Sequence, residues 1–86
     1  MFYTYVLYNR VKFYIGFSKN LKKRIEAHYK KKVHTSKRMG KFEMVFYEAF
    51  KSEKDARRRE KYFKTTKGRK ALKLMLRESL SYSGVI

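Results

Sequence analysis

Aromatic and branched apolar residues crowd the first eighteen positions. Phe2–Tyr8 is a run of this kind, a composition that favours strand. Asn9-Arg10 suits a two-residue turn and Val11–Phe17 is strand-like again, so a β-hairpin is predicted. The period then changes. Ser18 or Asn20 can cap a helix start, and Leu21, Ile25 and His28 or Tyr29 recur at helical spacing to about residue 32. Residues 34–41 are polar with Gly40 near their end, a loop pattern. Residues 42–50 carry Met44, Phe46, Ala49 and Phe50 and predict a third strand. Ser52-Glu53-Lys54-Asp55 resembles a capping box, with Asp in place of Glu or Gln. A helix follows to about residue 65, Gly68 breaks it, and residues 69–79 form another with Leu72, Met75 and Leu76 on one stripe. The expected fold is α/β in the broad sense (α+β), a small three-stranded, mostly antiparallel sheet flanked by helices, in the order β-β-α-β-α-α. Residues 1–80 read as a single domain and 81–86 as a loose tail.

Three features break this pattern. The inward stripe of the helix after Ser52 is Ala56, Glu60 and Phe63, so a carboxylate stands where a hydrophobe is wanted. Such a group must be paired with a cation or bind a metal. On the first helix, Arg24 and His28 stack one turn apart on the face of Leu21 and Ile25. Arg24 can snorkel there and His28 can be a satisfied core histidine, or both can face a ligand. Tyr3, Tyr5, Tyr8 and Tyr14 crowd the hairpin, with Tyr3 and Tyr5 on one strand face. Packing accounts for most of them; stacking on bases and proton transfer are the alternatives.

Charge narrows the function. Among 86 residues, 24 Lys and Arg face 7 Asp and Glu, a net +17. Residues 19–41 hold ten basic side chains against Glu26 alone, and residues 51–73 hold eleven against Glu53, Asp55 and Glu60. Such self-repulsion calls for a polyanionic partner, and nucleic acid fits best. Neither basic segment has the large apolar face that an acidic membrane surface would require. No apolar run approaches the ~18 residues of a membrane span, and the opening Met1-Phe2-Tyr3-Thr4-Tyr5 lacks a basic n-region. The absence of Cys excludes disulfide-linked partners and thiolate metal sites. A cytoplasmic monomer is the expectation.

Several short motifs now fall into one order. Tyr3-Thr4-Tyr5-Val6-Leu7, Tyr14-Ile15-Gly16, and Asn20-Leu21-Lys22-Lys23-Arg24 with His28 resemble the opening of the GIY-YIG nuclease domain. Phe46-Tyr47-Glu48-Ala49-Phe50 followed by Asp55-Ala56-Arg57-Arg58-Arg59-Glu60-Lys61 resembles its small stand-alone bacterial branch, related to the excinuclease C subunit. The likeness covers about residues 2–76. The chain departs from the pattern at Tyr3-Thr4, where the first motif has Gly-Ile, and it lacks an Asn that several members carry near the last helix. Lys64 is the nearest polar residue to that position; His34 is a poorly spaced match to a second histidine of some members.

The resemblance implies a metal-dependent endonuclease that hydrolyses phosphodiester bonds. One Mg²⁺ (or Mn²⁺) would be held by Glu60 with waters and phosphate oxygens, since Mg²⁺ needs few protein ligands. Tyr5 would be the general base, its pKa lowered from about 10 by surrounding cations and the metal. Arg24 would clamp the scissile phosphate, Tyr14 would hydrogen-bond water or phosphate, and His28 would orient Tyr5 or act as an alternative base. Gly16 would serve a close approach of strand and helix. Lys22, Lys23, Arg24, Lys30, Lys31, Lys32, Lys37, Arg38, Arg57, Arg58, Lys61, Lys67, Arg69 and Lys70 would contact phosphates, which positions nucleic acid without reading its sequence. Low specificity is therefore expected, on DNA first, in single-stranded or branched form; repair, mobile-element and defence contexts all stay open. The rivals are a non-catalytic nucleic-acid-binding protein with the same fold and a structural protein of ribosomal RNA.

Overall fold

The structure, a computed structural model, describes residues 1–30 and 39–81. Its elements are β1 (Phe2–Tyr8), β2 (Phe13–Ser18), α1 (Leu21–Tyr29), β3 (Glu43–Phe50), α2 (Glu53–Phe63), α3 (Thr66–Met75) and a final short α4 (Arg77–Ser81). The expected order holds, with α4 added at its end. The three strands form one sheet in the order β2-β1-β3, and both pairings are antiparallel.

The hairpin turn is longer than its sequence suggested. Asn9 Oδ1 accepts from the backbone N–H of Val11 at 3.0 Å and of Lys12 at 2.9 Å. Those donors are thereby lost to the ladder, so pairing starts at Tyr8↔Phe13 and Val11 stands 80% exposed. A second departure lies in β3. Val6 pairs with Phe46 but Leu7 with Met44, so Val45 is the extra residue of a bulge. Val45 and Phe46 therefore both pack toward the core containing Val6, Phe13, Phe63, Leu72 and Leu76. This slip defeats a strict alternation of faces.

Helices cover both sides of the sheet. α1 lays Leu21 and Ile25 on Tyr5, Leu7, Met39 and Phe42. α2 and α3 lay Phe63, Leu72 and Leu76 on Val6, Phe13 and Ile15. α1 is capped by Asn20 Oδ1, which accepts from Lys23 N–H at 3.1 Å, and it ends at Tyr29 rather than near residue 32. The loop expected at 34–41 lies mostly outside the described residues, as do His34 and the end of the tail.

Two corrections concern the second half. Ser52 occupies the N-cap of α2 in extended geometry, yet its side chain makes no capping hydrogen bond. The nearby acids instead reach forward, Glu53 to Arg57 and Asp55 to Arg58. Gly68 breaks nothing. The chain breaks earlier, at Lys64-Thr65, where Thr65 Oγ1 caps α3 by accepting from Gly68 N–H at 3.0 Å. Gly68 is buried because the Tyr62 carbonyl oxygen sits where a Cβ would be, at 1.9 Å. Only glycine lets α3 fold back so closely on α2. On the α3 stripe Leu72 and Leu76 are buried, whereas Met75 is 49% exposed.

One buried polar contact fixes α2 against the sheet. Thr4, fully buried in the central strand, donates from Oγ1 to the Ala56 carbonyl at 2.6 Å. It holds the helix one turn before Glu60.

Candidate active site

The central strand β1 and the edge strand β2 pair Tyr5 with Gly16 and Leu7 with Tyr14. Because Gly16 has no side chain, the Tyr5 ring lies flat across it. A Cβ there would stand 2.3 Å from both Tyr5 Cζ and Oη. The phenol thus passes over β2 and delivers its hydroxyl at the sheet edge. Gly16 accordingly serves the approach of a ring from the neighbouring strand, not of a helix as its motif suggested.

α1 meets that hydroxyl from one side. Arg24 and His28 are four residues apart and stack one turn above the other. Arg24 Nε donates to Tyr5 Oη at 3.2 Å, and His28 Nε2 lies 2.8 Å from the same oxygen. α2 meets the edge from the other sheet face with Arg57, Glu60 and, just past its end, Lys64. The result is a cavity of about 300 Å³ that wraps the edge of β2 and holds Tyr5, Tyr14, Arg24, His28, Glu60 and Lys64 among its lining. All five residues singled out for chemistry meet here, carried by four different elements.

Burial sets the protonation states. Desolvation pushes Tyr5 above the ordinary 10.0, and the Glu60 charge adds to this. The hydrogen bond and charge of Arg24 oppose the rise without cancelling it. A phenol lowered by surrounding cations and a metal was expected from sequence; in the metal-free protein the direction is upward, because among the described residues Arg24 is the basic side chain that hydrogen-bonds the hydroxyl and it does not offset burial. Burial and then Arg24 push His28 below 6.5, so its imidazole is neutral at neutral pH. Arginine can only donate, so the Tyr5 oxygen accepts from Arg24, and the phenol proton is available to His28 Nε2 in the tautomer protonated at Nδ1. Nδ1 itself is buried with no hydrogen-bond partner among the described residues.

Among the described residues, Glu60 is the one carboxylate lining the cavity. It accepts from Lys64 Nζ at 3.1 Å and lies 3.8 Å from Arg57. No group of three or more His, Asp or Glu that could hold a metal exists among the described residues. A single half-buried carboxylate on an open cavity suits an ion that keeps most of its waters, as Mg²⁺ does, and does not suit a fully protein-caged ion. Lys64 would have to yield Glu60 to such an ion. Arg57 itself stacks over the Phe17 ring, 3.7 Å from its centroid.

The expected phosphate contacts are dispersed. Lys23, Lys30, Lys61, Lys67 and Lys70 are exposed. Arg58 is exposed and paired with Asp55 at 2.9 Å. Lys22 lines a separate apolar groove with Tyr3 and Tyr47, and Arg69 lines a cavity at the hairpin turn. Lys31, Lys32, Lys37 and Arg38 lie outside the described residues. Sequence reasoning set Arg57 among the general phosphate contacts and missed its place on the cavity wall. Its i, i+3 spacing to Glu60 was the available signal.

Comparison with known families gives one match: the family model for the GIY-YIG catalytic domain spans residues 1–73. No curated protein and no solved structure matches the chain. No helix among the described residues is long and apolar enough to cross a membrane.

Proposed function

The chain belongs to the GIY-YIG family, and from that premise we propose that it is an endonuclease hydrolysing phosphodiester bonds. The substrate is nucleic acid, DNA in the first instance, cut with little sequence selectivity and with one divalent ion. The supporting observation is the single cavity that joins Tyr5, Tyr14, Arg24, His28 and Glu60. Phosphate binding alone would need the arginine, and has no use for a half-buried carboxylate on the same cavity wall.

Each residue has a separate task. Arg24 is exposed toward the cavity and has donors besides Nε with which to grip the scissile phosphate. Tyr5 is neutral in the free protein, so it must give up its own proton to take one from water. The neutral imidazole of His28, 2.8 Å away, is placed to take that proton in the same step as Tyr5 takes one from water, and the Arg24 Nε–H steadies the charge on the phenol oxygen. Tyr14 offers a hydroxyl to the water or the phosphate. Glu60 would hold Mg²⁺ or Mn²⁺, which when bound would neutralise charge on the phosphoryl group and leaving oxygen. Lys64 and Arg57 balance Glu60 in the free protein and become available to the substrate once the carboxylate is otherwise engaged.

One observation favours a second reading. The 3.1 Å pair of Lys64 with Glu60 already satisfies the carboxylate without metal, as a non-catalytic nucleic-acid-binding protein of this fold would require. A gel separates the two. Labelled single-stranded, duplex and branched DNA, and RNA, are incubated with protein in Mg²⁺, Mn²⁺ or chelator, beside Glu60→Ala. Metal-dependent cleavage lost in Glu60→Ala supports the nuclease. Binding without cleavage by either protein on every substrate supports the binder.

A further inference from the structure

At the hairpin turn lies a second concavity of about 400 Å³, whose lining includes Tyr8, Arg10, Lys12, Phe13, Arg69 and Lys73. Four of its lining side chains are cations and, among the described residues, none is a carboxylate. They come from two directions. Arg10 and Lys12 sit on the turn, while Arg69 and Lys73 are one helical turn apart on α3. The floor is the Tyr8–Phe13 ring pair, 5.2 Å between centroids. Lys12, Arg69 and Lys73 bring like charges to one hollow, and an anion entering it would relieve their repulsion.

Two details show that the arrangement is held. Arg69 Nη1 donates to the Phe13 carbonyl at 3.4 Å, which moors its guanidinium over the start of β2. Arg10 adopts a φ of 72°, the left-handed region that non-glycine residues avoid. Asn9 fixes that turn through Val11 and Lys12 N–H, and anchors it by donating from Nδ2 to the Met39 carbonyl at 3.0 Å. Strain is thus accepted at a residue that brings a cation to the hollow.

The hollow adjoins the catalytic cavity along the same edge strand. Phe13 borders one, and Tyr14 to Phe17 border the other. At about 3.3 Å per strand residue, Phe13 and Gly16 are about 10 Å apart.

We propose that the hollow is a second phosphate-binding site. It holds the nucleic-acid backbone within a few nucleotides of the bond cut beside Tyr5 and Glu60. The register rests on the nuclease reading; binding to the hollow does not. Of its four cations, only Arg69 was among the phosphate contacts drawn from sequence.

The test compares Lys12→Gln/Lys73→Gln with wild type, both exposed positions whose loss spares the core. Affinity for a labelled duplex DNA of about 30 pairs is measured in chelator across about 50 to 200 mM salt. The double variant should bind about tenfold more weakly, and the slope of log affinity on log salt should fall by about 1.8, two contacts' worth. Of single methylphosphonates placed in turn at the nucleotides flanking the cut, one should weaken wild type and leave the double variant unaffected. Unchanged affinity and slope in the double variant overturn the proposal. So does a response to inorganic phosphate alone, with DNA binding untouched. If wild type cleaves nothing, the nuclease reading fails while the salt slope still decides the hollow. Normal cleavage with an unchanged slope sinks the hollow alone.

Discussion

Gly16→Ala is a one-carbon change that reports on the whole site. The added Cβ would stand 2.3 Å from Tyr5 Cζ and Oη, whereas non-bonded carbons rest at about 3.5–4.0 Å. The ring must therefore retreat by more than about 1 Å. Its hydroxyl now sits 2.8 Å from His28 Nε2 and 3.2 Å from Arg24 Nε. A shift of that size carries at least one of these beyond the ~3.5 Å at which a hydrogen bond ceases to count. Misplacing a reacting group by about 1 Å costs about 100-fold in rate, so kcat should fall by that order. Overpacking should cost about 1–3 kcal/mol, and each kcal/mol lowers Tm by about 4–8 °C in a domain of this size. Cleavage under single-turnover conditions, well below the variant's Tm, separates the two losses. A cycle with Tyr5→Phe locates the effect. If Gly16→Ala acts through the hydroxyl, adding it to Tyr5→Phe should cost less than about threefold more. A near-wild-type rate with unchanged Tm, or a full 100-fold loss repeated in the Tyr5→Phe background, would refute the argument that Gly16 exists to seat this ring.

Gly68→Ala should destabilise the fold by about 2–3 kcal/mol through overpacking, against the usual gain of alanine in a helix, since the Tyr62 carbonyl is backbone and cannot step aside; urea melts would show a lower midpoint, and a higher one contradicts the packing described. Arg24→Lys keeps the charge but loses the Nε donation to Tyr5, so kcat should fall about 10- to 100-fold with DNA affinity little changed; equal losses in both would make Arg24 a binding residue only. Stability should vary with pH in two windows. His28 is depressed below 6.5, so the unfolded chain takes up its proton first and stability declines as pH falls from 6.5 toward the folded value. Tyr5 is raised above 10.0, so the unfolded chain loses its proton first and stability declines as pH rises past 10.0. Urea midpoints across acid pH in wild type and His28→Gln test the first window, and an identical acid slope in both would count against it.

The elements were legible where the pattern is local. Phe2–Tyr8 offers nothing but strand, and Leu21, Ile25 and His28 keep helical phase, so β1 and α1 could be placed before any contact was known. The errors fall where one side chain redirects the backbone. Asn9 takes two N–H groups from the start of β2, and the bulge at Val45 turns two consecutive residues to one face. Periodicity assumes that every residue obeys the same repeat, so it cannot contain either event. Gly68 was misread for a related reason: a glycine marks a break or a close approach with the same letter, and only the Tyr62 carbonyl decides between them.

The site was legible in its members and illegible in its electrostatics. Glu60 breaks the apolar stripe of α2, and Arg24 with His28 breaks that of α1, so pattern violation points to the residues that line the cavity. Their protonation follows from depth, which the sequence does not carry. With 24 basic residues in the chain, a phenol lowered by its surroundings was the natural inference. Among the described residues, the cation that acts on the Tyr5 hydroxyl is Arg24, and burial outweighs it. In the metal-free protein Tyr5 therefore starts as a neutral phenol. A depressed phenol would be ready as a base on its own, whereas a raised one needs an acceptor at hydrogen-bond distance, and His28 Nε2 at 2.8 Å is that acceptor. On the nuclease reading proposed above, the buried imidazole thereby gains weight as the proton acceptor. The arginine–histidine pair of α1 would then act as one device, in which Arg24 steadies charge on the oxygen that His28 deprotonates.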